Sequence, residues 1–371
     1  MAAREELLER RAEERALQDA LERVGDGGGG LVVLEAAGGL GKTSLLRSAH
    51  ALSRDAGLRL LSARGSELEA GFPFGLVRQL FEPLLFQACA EERGRWLTGA
   101  AALAGALFEP SAPAAVGDDA TYQRLHGLYW LTANVSDDRP LVLSVDDAQW
   151  ADEPSLQFLG FLARRVEATP VLLLVATRPV TEESRPALTQ LVADPATQVL
   201  RPRPLSGVAV ERLLAGALGT EPDGEFVQAC RAATQGNPLL LSELLREVTA
   251  LEIEPTAAEA SRVQALGPQG VGTVVLARLA RMPVAASALA RALAILGDGV
   301  PLRAAAELAG LGHDVAVPAL RALLAAEVVV EGEGLTFVHP IVRSAVYESI
   351  PDRSAEHWRA ARMLAGSGDA A

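Results

Sequence analysis

One stretch of the chain has the glycines, lysine and threonine that phosphate binding requires, in a suitable order. It reads AAGGLGKT from Ala36 to Thr43, between an apolar run typical of a buried strand and a helix-like run. Glycines let the backbone approach an anion closely, and the N–H groups at a helix N-terminus favour negative charge. Lys42 would neutralise the outer phosphates of a nucleotide, and the Thr43 hydroxyl would ligate Mg²⁺.

Lysine usage gives this stretch further weight. The chain has 34 basic residues, and Lys42 is the single lysine among them. Whatever bias replaced lysine by arginine elsewhere has left this position unchanged. The alternative is a glycine-rich turn that binds nothing. On the first interpretation seven residues contact the nucleotide: Ala36, Gly38, Gly39, Gly41, Lys42, Thr43 and Ser44.

Two acids follow another apolar run, LVLSVDDAQW from Leu141 to Trp150. Asp146 would complete the Mg²⁺ shell, and Asp147 would polarise an attacking water, because phosphoryl transfer needs mainly positioning and charge neutralisation. An Asp-Asp pair is also a common way to start a loop. The phosphate-binding stretch favours the metal role for Asp146 and the catalytic role for Asp147 with Lys42.

Three further residues have both a functional and a structural interpretation. Arg178 follows the apolar run 171–177, where it could sense a γ-phosphate or be an exposed arginine that ends a strand. Pro238, in GNPLLL, lies where helix capping alone would explain it. His339, in TFVHP, is best interpreted as a hairpin histidine on sequence grounds.

Apolar runs and helix-length segments alternate over the first 200 residues, which favours a doubly wound α/β domain with a parallel sheet. Strands are predicted at 31–35, 58–63, 141–145, 171–177 and 197–201, and helices at 3–24, 44–57, 121–135 and 152–166. Residues 108–120 are predicted to form a surface loop.

After residue 205 the strand signals fade and helical ones dominate. Helices are predicted at 207–218, 224–234, 238–250, 270–282 and 284–296, with an irregular connection over 251–270. From residue 300, two helices and a hairpin follow, an order that fits a winged helix. The expected domains are an N-terminal helix (1–30), a P-loop NTPase domain (31–204), a helical lid (205–282) and a winged-helix-like domain (283–371).

Composition argues against several classes of protein. The formal charge of −13 repels nucleic acid and anionic lipid, and with 4% aromatic residues stacking platforms for single strands are not expected. Cys89 and Cys230 support neither a disulfide framework nor a zinc site, and both are expected to be buried thiols. The N-terminus has no signal-peptide pattern and no run reaches the length of a membrane span, so we expect a cytoplasmic protein without a membrane partner.

The chain resembles the signal-transduction ATPases with numerous domains (STAND), specifically large LuxR-type, MalT-like regulators. The resemblance covers nearly the whole chain and rests on eight segments: LLERRAEERAL (7–17), AAGGLGKTSLL (36–46), SARGSELEAGFPFGLVRQLFEPLL (62–85), LHGLYWLTAN (125–134), VDDAQWADEPSL (145–156), LLLVATRP (172–179), ATQGNPLLLSELL (233–245) and FVHPIVRSAVY (337–347). It implies an AAA-type ATPase that binds ATP or ADP with Mg²⁺.

The resemblance also suggests roles for the three ambiguous residues. Arg178 would be the sensor arginine, Pro238 the lid residue near the adenine, and His339 a winged-helix histidine that touches the β-phosphate in the ADP state. The chain departs from the family at two positions, with Ala36 replacing the usual first glycine and Gln149 standing where histidine is common. Neither change removes a phosphate or metal contact.

Relatives of this kind usually continue into a helical-repeat sensor and a helix-turn-helix, whereas this chain stops at MLAGSGDAA. Residues 283–371 carry seven arginines against ten acids, a poor composition for binding DNA. We expect a regulatory ATP switch with slow hydrolysis, partnered by nucleotide and by copies of itself or longer regulators. The alternatives are a scaffold protein with a degenerate loop, or a DNA-binding regulator acting alone.

Overall fold

The chain folds into two compact units, Met1–Pro204 and Leu205–Ala371. The computed structural model describes residues 7–66, 70–109, 118–181, 184–265, 276, 279–326, 328–332, 334–337 and 340–366. The further division of the second unit at residue 282 stays a prediction.

The first unit is built on a five-stranded sheet in which all neighbouring strands are parallel. The strands are β1 (Gly30–Glu35), β2 (Arg59–Arg64), β3 (Leu141–Asp146), β4 (Val171–Thr177) and β5 (Thr197–Leu200). Their spatial order is β2-β3-β4-β1-β5. Strand β4 therefore lies between the strand that precedes the phosphate-binding stretch and the strand that leads into the two aspartates.

Eight helices are described in this unit: α1 (Arg11–Gly25), α2 (Lys42–Asp55), α3 (Gly75–Gln87), α4 (Ala90–Trp96), α5 (Ala102–Gly105), α6 (Asp118–Asp138), α7 (Glu153–Ala163) and α8 (Pro186–Ala193). Helices α1 and α2 share one core with strand residues such as Val32 and Leu174. Helices α3, α6, α7 and α8 share the opposite core with residues such as Val33 and Val175. Successive strand residues thus point to opposite faces, both covered by helices, which explains the continuous apolar runs.

The predicted doubly wound α/β fold is confirmed, and all five predicted strands are present within one residue of their expected bounds. The helix predicted over 3–24 begins only at Arg11, because Glu9 adopts a left-handed φ of 57° that breaks a helix. Helices α3, α4, α5 and α8 were not predicted. The predicted loop over 108–120 is shorter, since α6 already begins at Asp118 and residues 110–117 lie outside the described part.

The second unit is mainly helical. Its described helices are α9 (Gly207–Leu218), α10 (Gly224–Thr234), α11 (Pro238–Ala250), α12 (Ala260–Ala265), α13 (Val284–Leu296), α14 (Leu302–Leu308), α15 (His313–Ala325), α16 (Pro340–Glu348) and α17 (Arg353–Gly366). An antiparallel pair, β6 (Val329–Glu331) and β7 (Leu335–Phe337), stands between α15 and α16. Helices α13 to α17 and this pair share one apolar core.

Four helices of this unit have the predicted bounds: α9, α10, α11 and α13. The connection expected to be irregular contains α12 and a short 3₁₀ turn, Ala257–Glu259. The helix predicted over 270–282 falls largely outside the described residues. Two helices and a hairpin occur in the expected order after residue 300, and the winged-helix assignment stays a prediction.

The two cysteines differ in their surroundings. Both are free, and Cys230 is buried in α10, whereas Cys89 is exposed at the start of α4. The expectation that both thiols are buried is therefore wrong for Cys89, which lies in a region where no helix was predicted.

Among the described helices, none is by itself long and apolar enough to cross a bilayer. The pair α14 and α15, bent by 109°, meets that criterion jointly by length and composition alone. Both helices contribute buried side chains, such as Leu308 and Leu320, to the core of the second unit.

Candidate functional site

The stretch 36–43 forms a tight loop that joins strand β1 to α2. Gly39 and Gly41 have φ values of 80° and 90°, a conformation that glycine adopts without steric cost. Gly41 is the residue that precedes the first turn of α2, and Ser44 lies within that turn. The loop therefore leads directly into a helix N-terminus, which is the arrangement that binds phosphate.

Lys42 is folded back over the loop. Its Nζ donates hydrogen bonds to the carbonyl oxygens of Ala36, at 2.6 Å, and of Ala37, at 3.1 Å. Burial lowers the pKa of Lys42 below its ordinary value, while the nearby carboxylates of Asp147 and Asp146 act in the opposite direction. The single lysine of the chain is thus a buried cation beside two acids.

The loop and the end of β3 meet through Thr43 and Asp146. The Thr43 hydroxyl donates to Oδ2 of Asp146 at 2.9 Å, and the other oxygen of Asp146 accepts the backbone N–H of Asp147. A hydroxyl and a carboxylate side by side are oxygen ligands of the type that Mg²⁺ takes in proteins, together with water and phosphate. The residues present fit the predicted MgATP or MgADP.

Asp147 is held by side chains from two elements. Its φ of 51° is left-handed, and its Oδ2 accepts a hydrogen bond from Nε of Arg64 at 3.0 Å. Its Oδ1 accepts from Nε2 of Gln149 at 2.9 Å. A Cβ atom at Gly65 would collide with the Asp147 carbonyl oxygen, so this close approach requires glycine. Both carboxylate oxygens of Asp147 are therefore engaged.

Gln149 also reaches the end of β4. Its Oε1 accepts the backbone N–H of Arg178 at 3.1 Å and the hydroxyl of buried Thr177 at 3.5 Å. The Arg178 guanidinium lies 5.8 Å from the centre of the Trp150 ring. One amide side chain thus connects the predicted base with the backbone of the predicted sensor arginine.

Neither Arg64 nor Gln149 was predicted from the sequence to have a role in the site. Arg64 is the last residue of β2 and pairs in register with Asp146. Since the ends of adjacent parallel strands meet at one edge, the order of the strands would have identified it. Strand order was not predicted from the sequence.

The remaining predicted contacts lie in the second unit. Pro238 is the first residue of α11, after Asn237, whose Oδ1 accepts the N–H groups of Leu239 and Leu240. This arrangement is a helix cap, as the spacing alone indicated. His339 lies outside the described residues. The nucleotide contacts suggested for Pro238 and His339 stay predictions.

Residues 6–175 match a family model described as the AAA ATPase domain. This range includes β1 to β3, most of β4, the loop and both aspartates, so the first unit is similar to an AAA ATPase domain. No curated protein has a matching sequence.

Solved structures similar to the chain are distant in sequence. A Walker-type ATPase of Pyrococcus abyssi is 14% identical, with a TM-score of 0.44, over 92% of this chain and 96% of that one. A STAND protein of Pyrococcus horikoshii with a tetratricopeptide repeat sensor is 15% identical, with a TM-score of 0.48, over 95% of this chain but 45% of that one. Cdc6p of Pyrobaculum aerophilum is 15% identical, with a TM-score of 0.47, over 93% and 95% of the two chains.

Proposed function

We propose that the chain is the ATP-binding switch of a LuxR-type regulator of the STAND class, and that it hydrolyses ATP slowly. The observation that carries this proposal is the meeting of Lys42, Thr43 and Asp146 at the carboxyl edge of the sheet. A phosphate-binding loop, a cation and a magnesium-type ligand pair are together what phosphoryl transfer requires.

Bound MgATP would supply the transferable phosphoryl group and the cation that neutralises its charge. In this chain, the N–H groups of the loop and Lys42 bind the phosphates, while Thr43 and Asp146 hold the metal ion. Asp147 orients water and accepts its proton at a carboxylate oxygen. Arg178, at the adjacent strand end, contributes positive charge near the outer phosphate.

Slow turnover is supported by the hydrogen bonds of Asp147. Arg64 and Gln149 occupy one carboxylate oxygen each. A base must come within hydrogen-bond reach of the water it activates, so one of these partners has to release or share its oxygen first. A regulatory module benefits from such a restraint, since a long-lived nucleotide state gives a stable signal.

The regulatory context rests on the sequence resemblance and on the second, helical unit. In this proposal the nucleotide state sets the conformation of that unit, in which Pro238 and His339 would contact the nucleotide. The module acts in the cytoplasm with copies of itself or longer regulators as partners. Direct DNA binding is disfavoured by the net negative charge of residues 283–371.

Calorimetric titration of nucleotide-stripped protein with Mg²⁺ and ADP, or with a non-hydrolysable ATP analogue, tests the proposal. We expect binding by the native chain, loss of at least about 100-fold in affinity for Lys42→Ala, and unchanged affinity for the control Arg47→Ala. Arg47 is an exposed cation on the same helix. If the native chain bound neither nucleotide, the loop would be degenerate and the scaffold alternative would replace the switch.

A further inference from the structure

Arg10 is a buried arginine that bridges distant parts of the first unit. It immediately precedes α1 and is 5% exposed. Its Nη2 donates to the carbonyl oxygens of Leu40, at 3.3 Å, and of Arg203, at 2.6 Å, and its Nη1 donates to the carbonyl of Glu9. A charged group is costly to bury unless its hydrogen bonds are satisfied, so these acceptors account for its position.

Leu40 is the phosphate-loop residue whose carbonyl oxygen Arg10 binds. It lies between Gly39 and Gly41, both with left-handed φ values. In such a loop, N–H groups that turn towards an anion leave carbonyl groups facing away from it. The carbonyl of Leu40, which Arg10 binds, is therefore sensitive to whether the loop is closed around a phosphate.

A second contact joins the residue before the phosphate loop, Glu35, to the segment 201–204 that also contains Arg203. Glu35 is the last residue of β1, directly before Ala36, and is 7% exposed. Its Oε2 accepts hydrogen bonds from Nε and Nη2 of Arg201, at 2.8 and 2.7 Å, and its Oε1 accepts the N–H of Val180. Hydrogen bonds from an arginine to a carboxylate are among the stronger ones in proteins.

Residues 201–204, with the sequence RPRP, are the last of the first unit, and we call them the connector. Two prolines fix φ and restrict the residues before them, so the connector transmits displacement better than a flexible linker would. The next residue, Leu205, opens the second unit and donates to the carbonyl of Gly236 at 2.7 Å. Gly236 has a φ of 70°, and a Cβ there would collide with the Leu205 backbone.

We propose that Arg10 is a positioning residue that couples the phosphate loop to the connector, with the Glu35–Arg201 pair as a second tie. Nucleotide binding at the loop then makes the connector and the Leu205–Gly236 hydrogen bond more ordered. Gly236 lies two residues before Pro238. This inference rests on the proposed function, because it requires nucleotide to bind at the loop. It makes Arg10 part of the switch without a contact to the reacting atoms.

Hydrogen exchange followed by mass spectrometry, on the full chain with and without MgADP, tests the coupling. In the native protein we expect nucleotide to slow exchange in two regions, the loop 36–43 and the peptides containing Leu205 and Gly236. In Arg10→Ala, nucleotide should still slow exchange at 36–43. Its slowing of exchange in the peptides containing Leu205 and Gly236, which we call the connector effect, should fall by about five-fold or more, the range of ordinary allosteric coupling. Arg10→Lys should restore part of it.

Two more variants separate coupling from general damage. Arg201→Gln removes the positive charge of an exposed side chain but keeps an amide that can donate to Glu35, so it should fold and still weaken the connector effect. Arg15→Ala, an exposed arginine on α1, should leave both effects intact. If Arg10→Ala failed to fold, Arg201→Gln would decide the question.

The failures of the two proposals are distinguishable. Absence of any nucleotide effect at 36–43 in the native chain would overturn the proposed function. Protection of the loop with no change around Leu205 and Gly236 would overturn the coupling alone, as would equal connector effects in the native chain, Arg10→Ala and Arg201→Gln.

Discussion

The Thr43 hydroxyl lies 2.9 Å from Oδ2 of Asp146, although 103 positions separate the two residues in the chain. Thr43 follows β1 and Asp146 ends β3, and these strands are not neighbours, since β4 lies between them. The contact is possible because all three strands are parallel and end at one edge. The proposed metal site at this edge therefore depends on the order of the strands as well as on the two side chains.

Removing either oxygen ligand should weaken the magnesium dependence of nucleotide binding. For Thr43→Ala and Asp146→Asn we expect nucleotide affinity with Mg²⁺ to fall by about ten-fold or more, and affinity without Mg²⁺ to change little. Calorimetry with and without EDTA measures both. Thr43→Ser keeps the hydroxyl and should behave as the native chain; an equal loss in Thr43→Ser would contradict the metal role.

Asp147→Asn should separate binding from hydrolysis. The amide keeps the shape of the side chain but cannot accept a proton from water, so we expect nucleotide affinity to be retained and kcat to fall by about 100-fold. Single-turnover release of phosphate measures this directly. Unchanged turnover in Asp147→Asn would place the base elsewhere.

Gln149→Ala should lower turnover without lowering affinity, because Gln149 orients Asp147 through Nε2 and contacts the end of β4 through Oε1. We expect kcat to fall by about ten-fold, as for other residues that orient a functional side chain. Gln157→Ala, at an exposed glutamine on α7, is the matched control. Equal kcat values in Gln149→Ala and the control would show that Asp147 needs no such support.

The histidine on the phosphate-loop helix should make stability depend on pH. His50 Nε2 lies 2.7 Å from the Ser144 hydroxyl on β3, and burial, followed by the charge of Arg54, lowers the pKa of His50 below its ordinary 6.5. The folded chain therefore favours the neutral ring. The resulting stability is fully present above pH 6.5 and is lost as pH falls through the lower folded value.

Thermal unfolding between about pH 5 and pH 8 checks this sign. Tm of the native chain should decline more steeply on acidification than Tm of His50→Gln. His313→Gln, at an exposed histidine of α15, should keep the native slope. If Tm fell equally with pH in the native chain and in His50→Gln, His50 would not be the cause of the pH dependence.

The two thiols should differ sharply in reactivity. Burial raises the pKa of the Cys230 thiol to about 12, whereas Cys89 is exposed at a helix start. Because the thiolate is the reactive form, iodoacetamide at mildly alkaline pH should label Cys89 in the native chain and Cys230 only after denaturation. Rapid labelling of native Cys89→Ala would contradict the buried position of Cys230.

The sequence predicted well what depends on local periodicity and on contiguous motifs. Apolar runs identified each strand, of which 171–177 is buried along its whole length. The Gly-Asn-Pro sequence that precedes α11 indicated the start of a helix. The phosphate loop was equally clear, since all its residues are consecutive. These features need no knowledge of which strand lies beside which.

Long-range contacts were not predictable in the same way. Arg64, Gln149 and Arg10 acquire their partners from elements far away in the sequence, and nothing in their own neighbourhoods distinguishes them from other polar residues. With 33 arginines in the chain, residue type alone does not distinguish Arg10 and Arg64 from the others. The left-handed turn at Glu9 was missed because a charged, helix-favouring segment surrounds it.

The burial of the single lysine has a practical consequence for chemical labelling. Amine-acylating reagents have two nucleophilic amines to attack in this chain, the N-terminal amino group and Nζ of Lys42. Because Nζ is hydrogen-bonded to two carbonyl oxygens within the loop, its acylation requires the loop to open. The amount of label on Lys42 therefore reports the opening of the loop from a single atom, without any engineered probe.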